Sequence, residues 1–161
     1  MEPQRKQRLD EVARIAVAIE EETGLPAQML IAQWALESRW GAKPAGNANY
    51  FGIKKADRHE RCCTVTTHEV VNGKSVQVDL EFADYESLEA SCRDYAWLIT
   101  HGKPYREAWE QYQRDKNLHN LVFGIAQVYA TGLHYAQLAT QIAAQGNVAQ
   151  AISQAREGAA A

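Results

Sequence analysis

The chain has 161 residues, 46% of them apolar, which is enough to bury one core but short for two, so a single domain over residues 1–161 is expected. A formal charge of −3 excludes the broad positive footprint of a nucleic-acid-binding protein. Three cysteines, with Cys62 and Cys63 adjacent, lack the even count and spread of a disulfide framework and are expected as free thiols.

The first stretch, MEPQRKQRLDEVARIAVAIEEE, has no uninterrupted apolar run of the secretory-signal kind, and no window approaches a membrane span. The chain is therefore expected to be made in the cytoplasm and delivered by other means if it acts outside. Leu9, Val12, Ala13, Ala16 and Ile19 recur at helical spacing, which predicts an amphipathic helix from about Arg5 to Glu22, interrupted by TGLP. Pro26 suits the start of a second helix reaching about Trp40, with Gly41 as its stop. Leu30, Ile31, Trp34, Ala35 and Leu36 make this helix apolar on most faces, so it should be central.

A long loop follows, AKPAGNANYFGIKKADRHE, rich in turn formers and then in cations. From Arg39 to Arg61, six basic residues (Arg39, Lys43, Lys54, Lys55, Arg58, Arg61) face two acidic ones (Asp57, Glu60), a local balance of +4 that is either a solvated face or a site for an anionic ligand. His59, Cys62, Cys63 and His68 lie close in sequence, but neighbours on a strand point to opposite faces, so no metal site is expected.

The stretch CCTVTTHEVVNGKSVQVDLEF is β-prone, and Asn72-Gly73 predicts a tight hairpin turn. A two-residue turn there pairs Val71 with Lys74 and, stepping outward, Glu69 with Val76 and Val65 with Leu80. One face then carries Thr66, His68, Gln77, Asp79 and Glu81. The other carries Val65, Thr67, Val76, Val78, Leu80 and Phe82, with Glu69 as its single acid. Beyond the hairpin, helices are expected from Ser87 to Gly102, from Tyr105 to Gln113, and from Leu118 to Tyr129 with Asn117 as cap. After a break at YATG a last helix starts near Leu133 and frays after about Ile152. Trp34, Trp97 and Trp109, at helical spacing, read as core. The fold class is α+β, mainly helical, with one β-hairpin.

Two glutamates stand where this pattern calls for apolar residues: Glu37 near the end of the hydrophobic helix and Glu69 on the inner hairpin face. A carboxyl buried without a cation keeps its proton toward neutral pH and can act as a general acid, and a second carboxylate completes the chemistry of glycosidic-bond cleavage. The competing reading pairs Glu37 with Arg39 or Lys43 and lets Glu69 reach water.

Four segments in order, ALESRWG, NANYFGIK, TTHEVVNG and YATGLHYA, resemble the bacterial N-acetylglucosaminidases of glycoside hydrolase family 73, which include the hydrolase domain of flagellar rod assembly, autolysins and phage lysins. The resemblance implies a lysozyme-like helical lobe and a small β-lobe around a groove. It implies Glu37 as the essential acid, Glu69 as the second carboxylate and Tyr129 as a supporting cleft tyrosine. Asn49, Tyr50, Phe51, Gly52 and Lys54 match the motif that shapes the sugar-binding groove, with Tyr50 in place of the usual leucine, and Tyr135 is a further aromatic for stacking on sugar. Two departures concern subsites: Gly132 and Leu133 follow YAT in place of Asp-Pro, and Ala83 replaces the usual arginine after the hairpin phenylalanine.

The implied partner is peptidoglycan, whose carboxylates would suit the basic stretch, and the implied reaction is hydrolysis of the β-1,4 bond after N-acetylglucosamine by a monomer with no cofactor. Glu69 would serve either as base on a water, or as a stabiliser while the substrate's acetamido group attacks. The rivals are a lytic transglycosylase or muramidase on the same fold and a noncatalytic wall-binding or assembly module. Delivery to the wall would be by a holin, a virion or the flagellar machinery.

Overall fold

The computed structural model describes all 161 residues. Helix α1 spans Pro3–Thr23 and α2 spans Ala27–Ser38; strands β1 (Cys62–Val71) and β2 (Lys74–Ala83) form the hairpin. Then come α3 (Leu88–His101), a 3₁₀ turn (Lys103–Tyr105), α4 (Arg106–Asp115), α5 (Leu118–Tyr129), α6 (Leu133–Ala143) and α7 (Gly146–Ala160).

Helix α2 is the axis of the helical lobe, with α1, α3, α5, α6 and α7 all packing against it. Nine of its residues are buried, among them Leu30, Ile31 and Trp34, so its burial extends around the helix as the all-round apolar pattern requires. The helix stops at Arg39, two residues before the expected Gly41, because Arg39, Trp40 and Gly41 all take left-handed backbone angles. Two of these are non-glycine residues, and the turn is held by Ser38, whose Oγ donates to the Trp34 carbonyl at 2.5 Å and accepts from the Gly41 N–H at 2.9 Å.

The caps read from the sequence form as expected. Ser87 Oγ accepts from Ala90 N at the start of α3, and Asn117 Oδ1 accepts from Asn120 N at the start of α5. The single last helix does not form: the chain breaks at Ala144 and Gln145, and α7 stays helical to Ala160 by packing Val148, Ala151 and Ile152 into the core beside α1. Its alanine-rich surface allows that close approach, so the expected fraying is replaced by tertiary contact.

The hairpin register is the expected one along its whole length, from Val71↔Lys74 out to Cys62↔Ala83. Asn72 (φ 50) and Gly73 (φ 77) both take the positive angles of the tight turn. No helix packs along the strands. Their base is joined to the preceding loop, where Lys54 bridges Phe82, Ala83 N donates to Ile53 O at 3.0 Å and Lys55 N donates to Glu81 O at 3.1 Å.

Candidate active site

Glu37 lies in the last turn of α2, half-buried beside the fully buried Ser38 and Trp34. Burial raises its carboxyl above the ordinary range, opposed in part by a hydrogen bond from Tyr135. The negative end of the α2 dipole acts in the same direction as burial. None of the ion pairs in the molecule involves Glu37, so pairing with Arg39 or Lys43 does not occur.

Its two oxygens have different surroundings. Tyr135 of α6 donates its hydroxyl to Oε1 at 2.6 Å, and Gln33, one turn earlier on α2, donates its side-chain N–H to that same hydroxyl at 2.5 Å. The other oxygen, Oε2, faces Gly52, where a Cβ would stand only 2.8 Å away. Gly52 is left-handed at φ +65, so glycine is required there twice, for its angle and for its lack of a side chain.

The loop that brings Gly52 to Glu37 is wound around Asn49, which is 1% exposed. Its Nδ2 donates to the carbonyls of Ile53 (2.9 Å) and Ala83 (2.7 Å), and its Oδ1 accepts from Phe51 N and Ile53 N, both at 3.2 Å. Asp84 accepts from the backbone N–H groups of Asn47, Ala48 and Tyr85. Phe51, fully buried, stacks on Tyr95 of α3 at 4.4 Å, and Tyr129 at the end of α5 donates its hydroxyl to the Phe51 carbonyl. Asn49 and Phe51 therefore build the groove wall from behind and are closed to direct contact with a sugar. Tyr50 is half-buried against the core, with Arg8, Glu11 and Cys92 among its charged or ionisable neighbours, and is absent from the lining of the groove described next.

A groove of about 430 Å³ opens from this point, lined by Gly52, Ile53, Lys54, Lys55, Ala56, Arg58, Leu98, Tyr105 and Tyr129. Its charged lining is entirely cationic. Arg58 is fixed there by a salt bridge to Asp94 at 3.2 Å and lies 4.6 Å over the ring of Trp97. Trp97 is 45% exposed, which overturns its assignment to the core; the same helix presents Tyr95 inward, and Trp97 instead stacks on His101 at 5.2 Å. Trp34 and Trp109 are buried as expected.

Asp94 gathers the loop against α3. It accepts from Tyr85, from His59 Nε2 at 2.9 Å and from Arg58. Burial pushes its carboxyl up, but these hydrogen bonds outweigh that and hold it below the usual range. His59 Nδ1 accepts from Ala56 N at 2.8 Å, so both ring nitrogens are used within the protein.

Glu69 is placed differently from the expectation. It shares a face with Val65, Thr67, Val78 and Leu80, but only the lower part of that face is covered. Glu69 is exposed, next to Val70 at 78% exposure, and lies six residues beyond Cys63, about 20 Å up an extended strand. Alternation assigns a side to a residue but not the height to which that side is buried. The structure brings Glu37, Gly52, Tyr129 and Tyr135 together, while Glu69, exposed on the hairpin arm, makes no ion pair with any residue. Gln33 was not singled out by sequence, although its place four residues before Glu37 puts it on the same helical face.

Residues 13–148 match the glucosaminidase family, described as mannosyl-glycoprotein endo-beta-N-acetylglucosaminidase. The chain is 31% identical over 142 residues to the peptidoglycan hydrolase FlgJ of Pseudomonas aeruginosa, covering 84% of this chain and 35% of that protein. It is 30% identical over 132 residues to FlgJ of Escherichia coli, covering 78% and 41%. The chain thus spans little more than a third of the length of these relatives. In structure it superposes on the catalytic domain of the autolysin Auto from Listeria monocytogenes with a TM-score of 0.77 at 26% identity, covering 94% of this chain and 89% of that one.

Proposed function

Because the chain belongs to the glucosaminidase family, glycoside hydrolase family 73, we propose that it cleaves the β-1,4 bond following N-acetylglucosamine in peptidoglycan, with Glu37 as the general acid. The observation that carries this reading is the carboxyl of Glu37, raised by burial, free of any cation, and standing with Oε2 against Gly52, a residue that lines the groove. Its proton goes to the glycosidic oxygen as the bond to the anomeric carbon breaks. The protonated fraction falls as pH rises through the raised value, so the rate declines on the basic side.

The second carboxylate is Glu69. For it to act as base on a water, inverting the anomeric carbon, it must come within about 6.5 to 9.5 Å of Glu37, which requires the hairpin to lean over the bound glycan. With the acetamido group as nucleophile, Glu69 orients and stabilises that group instead. Lys54, Lys55 and Arg58 suit the lactyl and peptide-stem carboxylates of the same strand. Tyr129 both lines the groove and ties its wall through Phe51. The enzyme reaches the wall by a holin, a virion or the flagellar export machinery, and acts as a monomer.

The exposed position of Glu69 favours one other reading, a lytic transglycosylase, which needs no second acid. Digestion of purified peptidoglycan, borohydride reduction and mass spectrometry of the new ends separates the two. Reduced N-acetylglucosamine ends support the proposal, anhydro-muramic ends support the transglycosylase, and reduced muramic ends indicate a muramidase. Glu37→Gln should abolish new ends while leaving the circular dichroism spectrum intact.

A further inference from the structure

We propose that Gln33 is a positioning residue that places the catalytic proton on the Glu37 oxygen beside the groove-lining Gly52 by dictating which way the Tyr135 hydroxyl points. The inference rests on the reading of Glu37 as the acid.

A side-chain amide nitrogen only donates, so where Gln33 Nε2 meets Tyr135 at 2.5 Å the tyrosine oxygen must accept. Tyrosine has one proton. With its oxygen engaged by Gln33, that proton goes to its other neighbour, Glu37 Oε1, at 2.6 Å. Oε1 is then an acceptor, and a protonated carboxyl has a single O–H. A proton on Oε1 would have to be donated to a further acceptor while Tyr135 donates in, and Tyr135 is the only hydrogen-bond partner Oε1 has, so the O–H belongs on Oε2, the oxygen against the groove-lining Gly52. Burial and the adjacent Glu37 hold the Tyr135 phenol far above its ordinary value, so it remains a donor through the working range.

The orientation of the amide follows from the cost of the alternative. As placed, Gln33 is 0% exposed and its Oε1 is a buried acceptor without a partner. Turning the amide over would strand two N–H protons in that same position, which is worse than one idle carbonyl. It would also draw the Tyr135 proton toward Gln33, leaving Glu37 free to donate inward through Oε1, where no substrate can take the proton. Gln33 thus excludes the unproductive arrangement of the same atoms.

The test compares Gln33→Met, which keeps the shape and removes the donor, with Tyr135→Phe and the double variant, using new reducing ends released from peptidoglycan across pH. Gln33→Met should lower kcat about tenfold at unchanged KM, the scale of one neutral hydrogen bond. Its basic limb should move to higher pH, because a bond favouring the carboxylate is no longer held on Glu37. The double variant should lose no more than Tyr135→Phe alone, since Gln33 acts only through Tyr135. Wild-type kcat and basic limb in Gln33→Met, or losses that multiply in the double variant, would overturn the assignment.

A second measurement does not depend on that variant folding. In the wild type, the NMR signals of the Gln33 side-chain amide should titrate with Glu37 and lose that dependence in Tyr135→Phe; an amide blind to pH across the basic limb overturns the proposal. The underlying reading fails separately, through an active Glu37→Gln. An inactive Glu37→Gln beside an unaltered Gln33→Met refutes only the role of Gln33.

Discussion

Gly52→Ala separates the cost of an unfavourable backbone angle from the cost of moving the acid. Alanine in the left-handed region costs about 1–2 kcal/mol, which in a chain of this size lowers Tm by roughly 2–8 °C. The added Cβ would meet Glu37 Oε2 at 2.8 Å, whereas ordinary contact begins at 3.4 Å, so the carboxyl must withdraw by about 0.6 Å. That atom is the end of a side chain and can yield, so the domain should still fold. A misplacement on the order of 1 Å in a reacting group costs about 10²-fold, so kcat should fall by about 10- to 100-fold. Gly24→Ala supplies the control: its φ is +81 and its added Cβ would meet only Trp109, at an unstrained 3.9 Å. The assays are thermal unfolding and reducing-end release on the same preparations. Equal activity in the two variants, after matching for folded fraction, would refute the claim that Gly52 is small to make room for Oε2.

Glu69→Gln should change stability by no more than about 0.5 kcal/mol, since the side chain is exposed and makes no hydrogen bond, yet reduce turnover strongly; full activity would remove it from the chemistry. Asn49→Ala, which removes the side-chain partner of the Ala83 carbonyl and of the Phe51 and Ile53 N–H groups and one of the two donors to the Ile53 carbonyl, should cost about 2–4 kcal/mol and appear as a fall in Tm of roughly 4–16 °C. Asp94→Asn should alter the response to acid. The folded Asp94 carboxyl is held below its ordinary 3.8, so its stabilisation is present above that value and is lost as pH falls through the lower folded value. The wild type should therefore lose more stability than the variant on acidification through that window, and parallel curves would contradict the role given to the carboxylate. Replacing Lys54 and Lys55 together by alanine should raise KM on peptide-bearing glycan more than on stripped glycan, and an equal effect on both would assign these lysines to solvation alone.

Local rules carried the hairpin and the helix caps: Asn72-Gly73 determines the register because both residues tolerate positive φ, and Ser87 and Asn117 begin helices because their oxygens meet free N–H groups. Glu37 stood out because a carboxylate interrupts an all-apolar helix. Less legible was whatever depends on distant partners. The motif placed Asn49 at the groove without showing that it holds the loop from within, which needs Ala83 to accept its N–H, and Asp94 reads as one more helix-surface acid until Arg58, His59 and Tyr85 converge on it. The exposure of Glu69 was invisible for a related reason, since nothing in a strand's alternation states how far up the ribbon the protein body reaches. The break before α7 accompanies the packing of Val148, Ala151 and Ile152 beside α1, a contact with a segment more than a hundred residues away.

The hairpin is bound at its base to Asn49, Ile53, Lys54 and Lys55 and no helix packs along its arm, which makes it a lever with its fulcrum beside the acid. With Glu69 about 20 Å out along the arm, a rotation of about 20° at the base swings it through about 7 Å. A small strain at the pivot is thus magnified into a displacement the size of a sugar ring. The arm can sweep this distance while Glu37, Tyr135 and Gln33 stay at rest, because none of them is attached to it.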